Sequence, residues 1–225
     1  MSFIDPLVGP DRLSTRPTST SVSPKIYSAY AKRVFDVSLV VLSLPVVLPV
    51  IVLMALMVAL DGGNPFYSQM RLGRANNVFR IWKLRTMVPD ADSRLERYLE
   101  TDPAARDEWD SKQKLSHDPR VTRVGRILRK TSLDELPQLF NVLTGDMSLV
   151  GPRPMMVDQK PLYPGRAYFA LRPGITGTWQ VSDRNASTFA ARAKFDTDYY
   201  KSLSFMGDVR LLVATVRVIL RGTGC

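Results

Sequence analysis

Two adjacent carboxylates, Asp134 and Glu135, follow a stretch in which Arg120, Arg123, Arg126 and Arg129 recur at every third residue. Acidic groups among guanidinium groups are what phosphate chemistry requires. A carboxylate attacks or holds a divalent cation, and the arginines offset the charge that would repel an anionic nucleophile. On a helix the four arginines fan over about half the cylinder, and for most of them a solvated face is explanation enough. Arg129 is set apart by its place nearest the carboxylates. Pro152-Arg153-Pro154, after Gly151, adds a guanidinium on a backbone stiffened on both sides. It reads either as an exposed linker or as an anion site that loses little entropy on fixing.

Ser132-Leu-Asp-Glu135 also has the form of a capping box, with Ser132 as N-cap, Glu135 reaching back and Asp134 favoured by the helix dipole. Pro137 requires that helix to start close by, because proline is tolerated in a first turn and not in a helix interior. A carboxylate there is expected to have a lowered pKa, to stay ionised at neutral pH and to lie beside backbone donors that hold phosphate. Cap and nucleophile are then one structure. Asp134 and Glu135 are also the ligand type that Mg²⁺ takes, through one or two carboxylates plus substrate phosphates. With His117 as the only histidine, a His-rich metal site is excluded.

The elements that position these groups must come from 225 residues with a formal charge of +10, which favours an anionic partner such as nucleic acid, an acidic lipid or a phosphorylated small molecule. Cys225 is the only cysteine, so no intrachain disulfide forms. Residues 1–24, rich in Ser, Thr and Pro, read as a disordered tail. From Val37 to Leu60 there is no charge, and that length suffices to cross a hydrocarbon core of roughly 30 Å. Pro45 and Pro49 fall in its middle and predict a break. Basic residues flank both ends, whereas a crossing helix carries them mainly on its cytoplasmic side. Residues 25–61 are therefore expected to form a re-entrant helix-break-helix anchor, with a simple span as the alternative.

Residues 62–207 read as one catalytic domain. Alternation over Val78–Leu84 predicts a strand, residues 90–114 are helix-permissive with Asp102-Pro103 interrupting them, and residues 119–143 follow a helical pattern. Gly and Pro make loops of residues 145–154 and 171–177, and residues 189–200 look helical. Over residues 208–225, Arg210, Arg217 and Arg221 share one face of an amphipathic helix, lying either in the lipid interface or on the core. The expected class is α+β, mainly helical.

Several motifs resemble one family. They are Lys32-Arg-Val-Phe-Asp36, Lys83-Leu-Arg-Thr-Met87, the run from Ser132 to Asp146, Ser148-Leu-Val-Gly-Pro-Arg-Pro154, Arg172-Pro-Gly-Ile-Thr-Gly177 and Arg184-Asn185. In this order they are similar to the small monotopic phosphoglycosyl transferases, the bacterial sugar transferases that start glycan assembly on polyprenyl phosphate. Residues 101–120 further resemble members that begin succinoglycan-type exopolysaccharides with galactose phosphate. The resemblance implies transfer of a sugar phosphate from a UDP-sugar, galactose or glucose, to undecaprenyl phosphate, with release of UMP. Asp134 matches the family's nucleophile and Glu135 completes its dyad, with Mg²⁺ as cofactor and both carboxylates as its ligands. Arg129 and Arg153 fall on positions associated with phosphate and nucleotide contacts, and Lys83, Arg85, Arg172 and Arg184 are carried over as further contacts.

The resemblance also implies a monotopic protein of the bacterial inner membrane, facing the cytoplasm, in contact with membrane lipids and with a homodimer left open. The family's helix breaks near a Ser-Pro pair. Here Leu48 precedes Pro49, so Ser43 or Ser38 must substitute or Pro45 must move the break. Two other classes compete with this reading. A tethered nucleic-acid-binding module would show steep salt dependence, but few aromatic residues accompany the arginines, and no nucleic acid is expected. A hydrolase would use the same carboxylate with water as acceptor.

Overall fold

The computed structural model describes residues 27–112, 115–182 and 188–220; the expected tail, Arg184, Asn185 and Arg221 lie outside these. The uncharged stretch forms part of helix α1 (Lys32–Leu60), entered through a π-helical turn at Tyr27–Ala31. At 1.5 Å per residue it extends about 43 Å, and it is long and apolar enough to cross a membrane. It runs on through Pro45 and Pro49, neither of which ends it. Each proline leaves the carbonyl four residues back without its usual donor. Ser43 does not meet the one below Pro45: its hydroxyl donates to Val40, at 2.7 Å, and not to Val41.

Both ends of α1 are held by the same body. Near its start, buried Asp36 accepts from Ser148 Oγ at 2.6 Å and from the Leu149 N–H at 3.3 Å. Arg33 donates to the carbonyls of Val142 and Leu143. Near its end, Val58 is buried with Leu84 and Leu128, and Arg85 donates to the carbonyls of Val58 and Gly62. Between these points the half-buried positions Leu44, Val47, Ile51 and Met54 recur with the period of one helix face. Leu42, Val46, Val52, Leu53 and Leu56 are exposed.

After Gly62 and Gly63 comes an antiparallel hairpin of β1 (Phe66–Leu72) and β2 (Val78–Leu84), with Arg71 opposite Phe79 and Tyr67 opposite Lys83. The bounds of β2 are those its alternation predicts, with Phe79 and Ile81 turned into the core. Helices α2 (Ala91–Thr101) and α3 (Pro103–Lys112) meet at Asp102. Its carboxylate accepts from the Ala105 N–H at 3.0 Å, so the expected interruption is an N-cap followed by a first-turn proline.

The helical pattern over residues 119–143 divides into α4 (Arg123–Thr131) and α5 (Gln138–Thr144). The two stretches expected to be loops contain β3 (Ser148–Val150) and β4 (Gly174–Thr176), which pair in parallel. Among the described residues four α-helices follow β3: α6 (Ala167–Ala170), α7 (Thr178–Val181), α8 (Arg192–Ser202) and α9 (Phe205–Leu220). The architecture is mixed and mainly helical, as expected. Its largest core cluster joins Val40 of α1, Ile81 of β2, Val142 of α5 and Val150 of β3, with Leu211 and Leu212 of α9 packed against it. The opposite side of α9 leaves Arg210, Val213, Val216 and Arg217 exposed.

Candidate active site

The site is assembled by three close approaches. Thr122 caps α4, its hydroxyl accepting from the Gly125 N–H at 2.9 Å. Gly125 in turn lies against the backbone of Thr86, where an added Cβ would stand 2.1 Å from the Thr86 carbonyl oxygen. Only glycine lets α4 approach the chain leaving β2 this closely. One turn further on, Arg129 Nε donates to Thr86 Oγ1 at 2.9 Å.

The second approach lays α5 on β2. Asn141 donates from Nδ2 to the Arg80 carbonyl at 2.8 Å and accepts at Oδ1 from the Trp82 N–H at 3.1 Å, doing for the strand what a neighbouring strand would do. This fixes the backbone next to Lys83. The third is the β3–β4 pair, where Gly151 sits so close to Arg172 that a Cβ would lie 2.4 Å from its carbonyl oxygen. Arg153 follows directly, its own carbonyl held by Arg192 Nη2 at 2.7 Å.

Between these elements the chain reverses at Ser132, whose φ of +56° is left-handed, a conformation costing a non-glycine residue about 1–2 kcal/mol. Leu133–Glu135 then forms one 3₁₀ turn. The expected capping box is not formed. An N-cap residue needs extended dihedrals, but Ser132 ends α4 from the left-handed region and its side chain makes no cap hydrogen bond. The next helix starts only after Pro137.

The two carboxylates differ sharply in their partners. Glu135 Oε1 lies 2.6 Å from Lys83 Nζ and 3.3 Å from Arg153 Nη2, whereas Asp134 Oδ2 stands 3.8 Å from Lys83 Nζ. Asp134 is 7% exposed. Burial raises its pKa, against the pull of Lys83; the charge of Glu135 raises it further, and Arg129 and Arg153 lower it. The lowered pKa expected of a helix N-terminus is therefore reversed, because a single 3₁₀ turn supplies less dipole than the loss of water takes away.

Of the predicted contacts, Lys83, Arg129 and Arg153 converge on the dyad. Arg85 instead binds the carbonyls at the end of α1. Arg172 donates to the Gly145 carbonyl at 2.9 Å, beside a separate polar hollow of about 280 Å³ that it shares with Arg74 and Asp146. Arg184 lies outside the described residues.

Two further arginines were not singled out from the sequence. Arg71 on β1 has its pKa pulled down to about 10 by burial and then by the neighbouring charge of Arg153, and it feels Glu135 as well. Its Nη2 donates to Gln69 Oε1 at 2.6 Å, while its buried Nε has no partner among the described residues. Arg192 is buried with its guanidinium over the rings of Trp179 and Phe189, at 4.9 and 4.8 Å, and is likewise pulled down to about 10 by burial and Arg153. A strand assignment for Phe66–Leu72 would have brought Arg71 beside the site; Arg192 carries no comparable signal.

Among the described residues no group of three or more His, Cys, Asp or Glu side chains is placed to hold a metal ion. Two carboxylates still suit Mg²⁺, which completes its octahedron with water and substrate phosphate.

The model of the bacterial sugar transferase family matches residues 27–222. The chain is 45% identical over 199 residues to a UDP-galactose-lipid carrier transferase of Erwinia amylovora, covering 88% of this chain and 42% of that protein. It is 44% identical over 199 residues to an undecaprenyl-phosphate galactose phosphotransferase of Salmonella typhimurium, again 88% of this chain and 42% of the relative. The chain thus spans less than half of these longer proteins. With the exopolysaccharide production protein ExoY of Rhizobium meliloti it shares 44% identity over 197 residues, 86% of this chain and 87% of the relative. A match this long, taking in the dyad and every element that positions it, means that the chain belongs to the bacterial sugar transferase family.

Proposed function

We propose that the chain is a phosphoglycosyl transferase that moves a sugar 1-phosphate, galactose or glucose, from a UDP-sugar to undecaprenyl phosphate and so begins an exopolysaccharide. The observation that carries this reading is the asymmetry of the dyad. Glu135 is gripped by two cations, and Asp134 beside it has, among the described residues, a single ion pair at 3.8 Å, so Asp134 is the carboxylate with an oxygen to give. The names of the relatives supply the substrate classes: a UDP-galactose-lipid carrier transferase and an undecaprenyl-phosphate galactose phosphotransferase.

In the first step an Asp134 oxygen attacks the sugar-bearing phosphorus of the donor. The bond to the bridging oxygen breaks, UMP leaves with that electron pair, and an aspartyl phosphosugar remains. In the second step a phosphate oxygen of undecaprenyl phosphate attacks the same phosphorus. The aspartyl bond breaks, the carboxylate is restored and the lipid diphosphosugar is released. One difficult displacement becomes two easier ones, and electrostatic placement supplies most of the acceleration. Lys83, Arg129 and Arg153 supply it, with Arg71 and Arg192 adding positive potential behind them. Asp134 and Glu135 would hold Mg²⁺ against the donor phosphates, where the ion neutralises charge that develops in transfer.

The protein is read as monotopic on the cytoplasmic face of the inner membrane. A crossing helix holds its ends on opposite sides of roughly 30 Å of hydrocarbon. Here Asp36 and Val58, at opposite ends of α1, both pack on the one body. A monotopic seat requires α1 to bend at Pro45 and Pro49 in the bilayer, so that its exposed apolar faces enter lipid while both ends stay at one surface. In a Cys225→Ser background, Arg16→Cys and Lys112→Cys should both resist an impermeant thiol reagent in intact cells. Labelling at position 16 alone would restore a crossing helix.

The activity is tested by UMP release across a panel of UDP-sugars, with and without undecaprenyl phosphate. A transferase releases one equivalent without the acceptor and turns over with it. Continued turnover without acceptor would mark a hydrolase and sink the proposal.

A further inference from the structure

A cavity of about 120 Å³ opens beside the dyad, and its lining joins two charged side chains to a majority of apolar ones. Glu135 and Arg153 stand in its wall as the charged members, and Leu136, Leu139, Ile175, Val181, Val218 and Ile219 supply an apolar lining. Thr176 and Thr215 also line it, their hydroxyls bonded to each other at 2.6 Å, and Ser132 and Gln180 add two polar side chains to a wall that is otherwise apolar.

We infer that this cavity holds the first isoprene unit of the lipid acceptor, with the acceptor's phosphate at the Arg153 end. The inference rests on the transferase reading and names the seat of its second substrate. The donor is polar at both ends, sugar on one side and nucleotide on the other, so a largely apolar recess reaching Glu135, next to the nucleophile, complements neither. A prenyl phosphate has the matching division, a dianionic head joined directly to hydrocarbon. Size agrees: an apolar cavity of about 150 Å³ takes up benzene, and about 120 Å³ suits a five-carbon unit.

The rest of the chain also has a route. Ile219 lines the cavity and is 37% exposed, and Val216, one helical turn earlier on α9, is 56% exposed. Val213, a further turn back and about 120° round the helix from Ile219, is 49% exposed, so the three lead obliquely from the cavity to the outer side of α9. An apolar track therefore leaves the cavity along α9. Arg210 and Arg217, exposed on that helix, are placed to meet lipid headgroups.

The two half-reactions separate this inference from the reading beneath it. Val181→Trp and Ile219→Trp each fill the recess with an indole. Single-turnover UMP release from UDP-galactose without acceptor is expected to persist, because the donor does not use the recess. The KM for undecaprenyl phosphate is expected to rise by roughly tenfold or more, since even one methylene in a hydrophobic pocket is worth 10–200-fold. Burst amplitude counts correctly folded molecules, so the acceptor KM is read on those alone. An unchanged acceptor KM in both variants overturns the inference. A slowed burst with unchanged acceptor KM also overturns it and assigns the recess to the nucleotide. Absence of any burst in the unaltered protein overturns the two-step reading itself.

Discussion

Two of the acidic centres among the described residues are finished to different degrees. At the start of α1, Asp208 is fully buried and accepts from Tyr27 at 2.6 Å, Lys32 at 2.5 Å and Tyr199 at 2.7 Å. Asp36 nearby is held by Ser148 and Leu149. Every one of these contacts ties α1, α8 or α9 to the core. At the dyad, Asp134 is nearly as buried yet keeps a 3.8 Å ion pair, with its pKa raised by burial. Satisfied carboxylates build structure, and an under-satisfied one stores reactivity.

The largest test of that contrast exchanges the two roles. Asp134→Asn should lower single-turnover UMP release by about 10³-fold or more, with little change in melting temperature. Asp208→Asn should do the opposite, leaving Lys32 buried beside a neutral partner at a stability cost of about 3–5 kcal/mol while folded molecules keep their rate. Equal effects on rate and melting would break the comparison.

Arg71→Gln is expected to raise the KM for the UDP-sugar roughly tenfold, as loss of a charge-assisted phosphate contact does, with the acceptor KM unmoved. Lys83→Met removes the cation that most lowers the pKa of Asp134. Since Asp134 must be ionised to attack, the acid limb of the pH-rate profile should move to higher pH; a limb that moves down or stays would contradict the electrostatics.

The smallest effect concerns Asp196, whose pKa is raised to about 6 by burial, against its hydrogen bond from Tyr163 and the charge of Arg192. The folded state holds this proton more tightly than the unfolded chain does, so the stability it contributes is present at low pH and lost as pH rises towards about 6. Asp196→Asn should flatten the melting temperature between about pH 4 and pH 6.

Short-range patterns were legible in the sequence where one element decides them. The alternation of β2, the Asp102-Pro103 break and the apolar stretch of α1 all emerge from local residue types. What was not legible depends on partners far along the chain. The Ser132 motif has every residue of a capping box, but Ser132 is taken up as the left-handed C-cap of α4, a helix placed by the packing of Gly125 on Thr86. β3 and β4 are short and lie in Gly- and Pro-bearing stretches, so only their mutual pairing makes them strands. Arg85 and Arg172 belong to motifs that also contribute to the site, yet each is aimed at backbone carbonyls by the helix end beside it. Lys83, Arg129 and Arg153 do converge on the dyad, because the first two lie on β2 and α4 and the third follows β3, elements whose positions are set by buried packing.

The central claim is that Asp134 becomes covalently bonded to the sugar phosphate. The most direct measurement is mass spectrometry of the acid-quenched protein after exposure to its UDP-sugar and Mg²⁺ without acceptor. The expected result is one hexose phosphate added to the peptide carrying Asp134, removed on addition of undecaprenyl phosphate and absent from Asp134→Asn. Normal UMP release with no adduct on that peptide, or an intact adduct in the Asn variant, would contradict it.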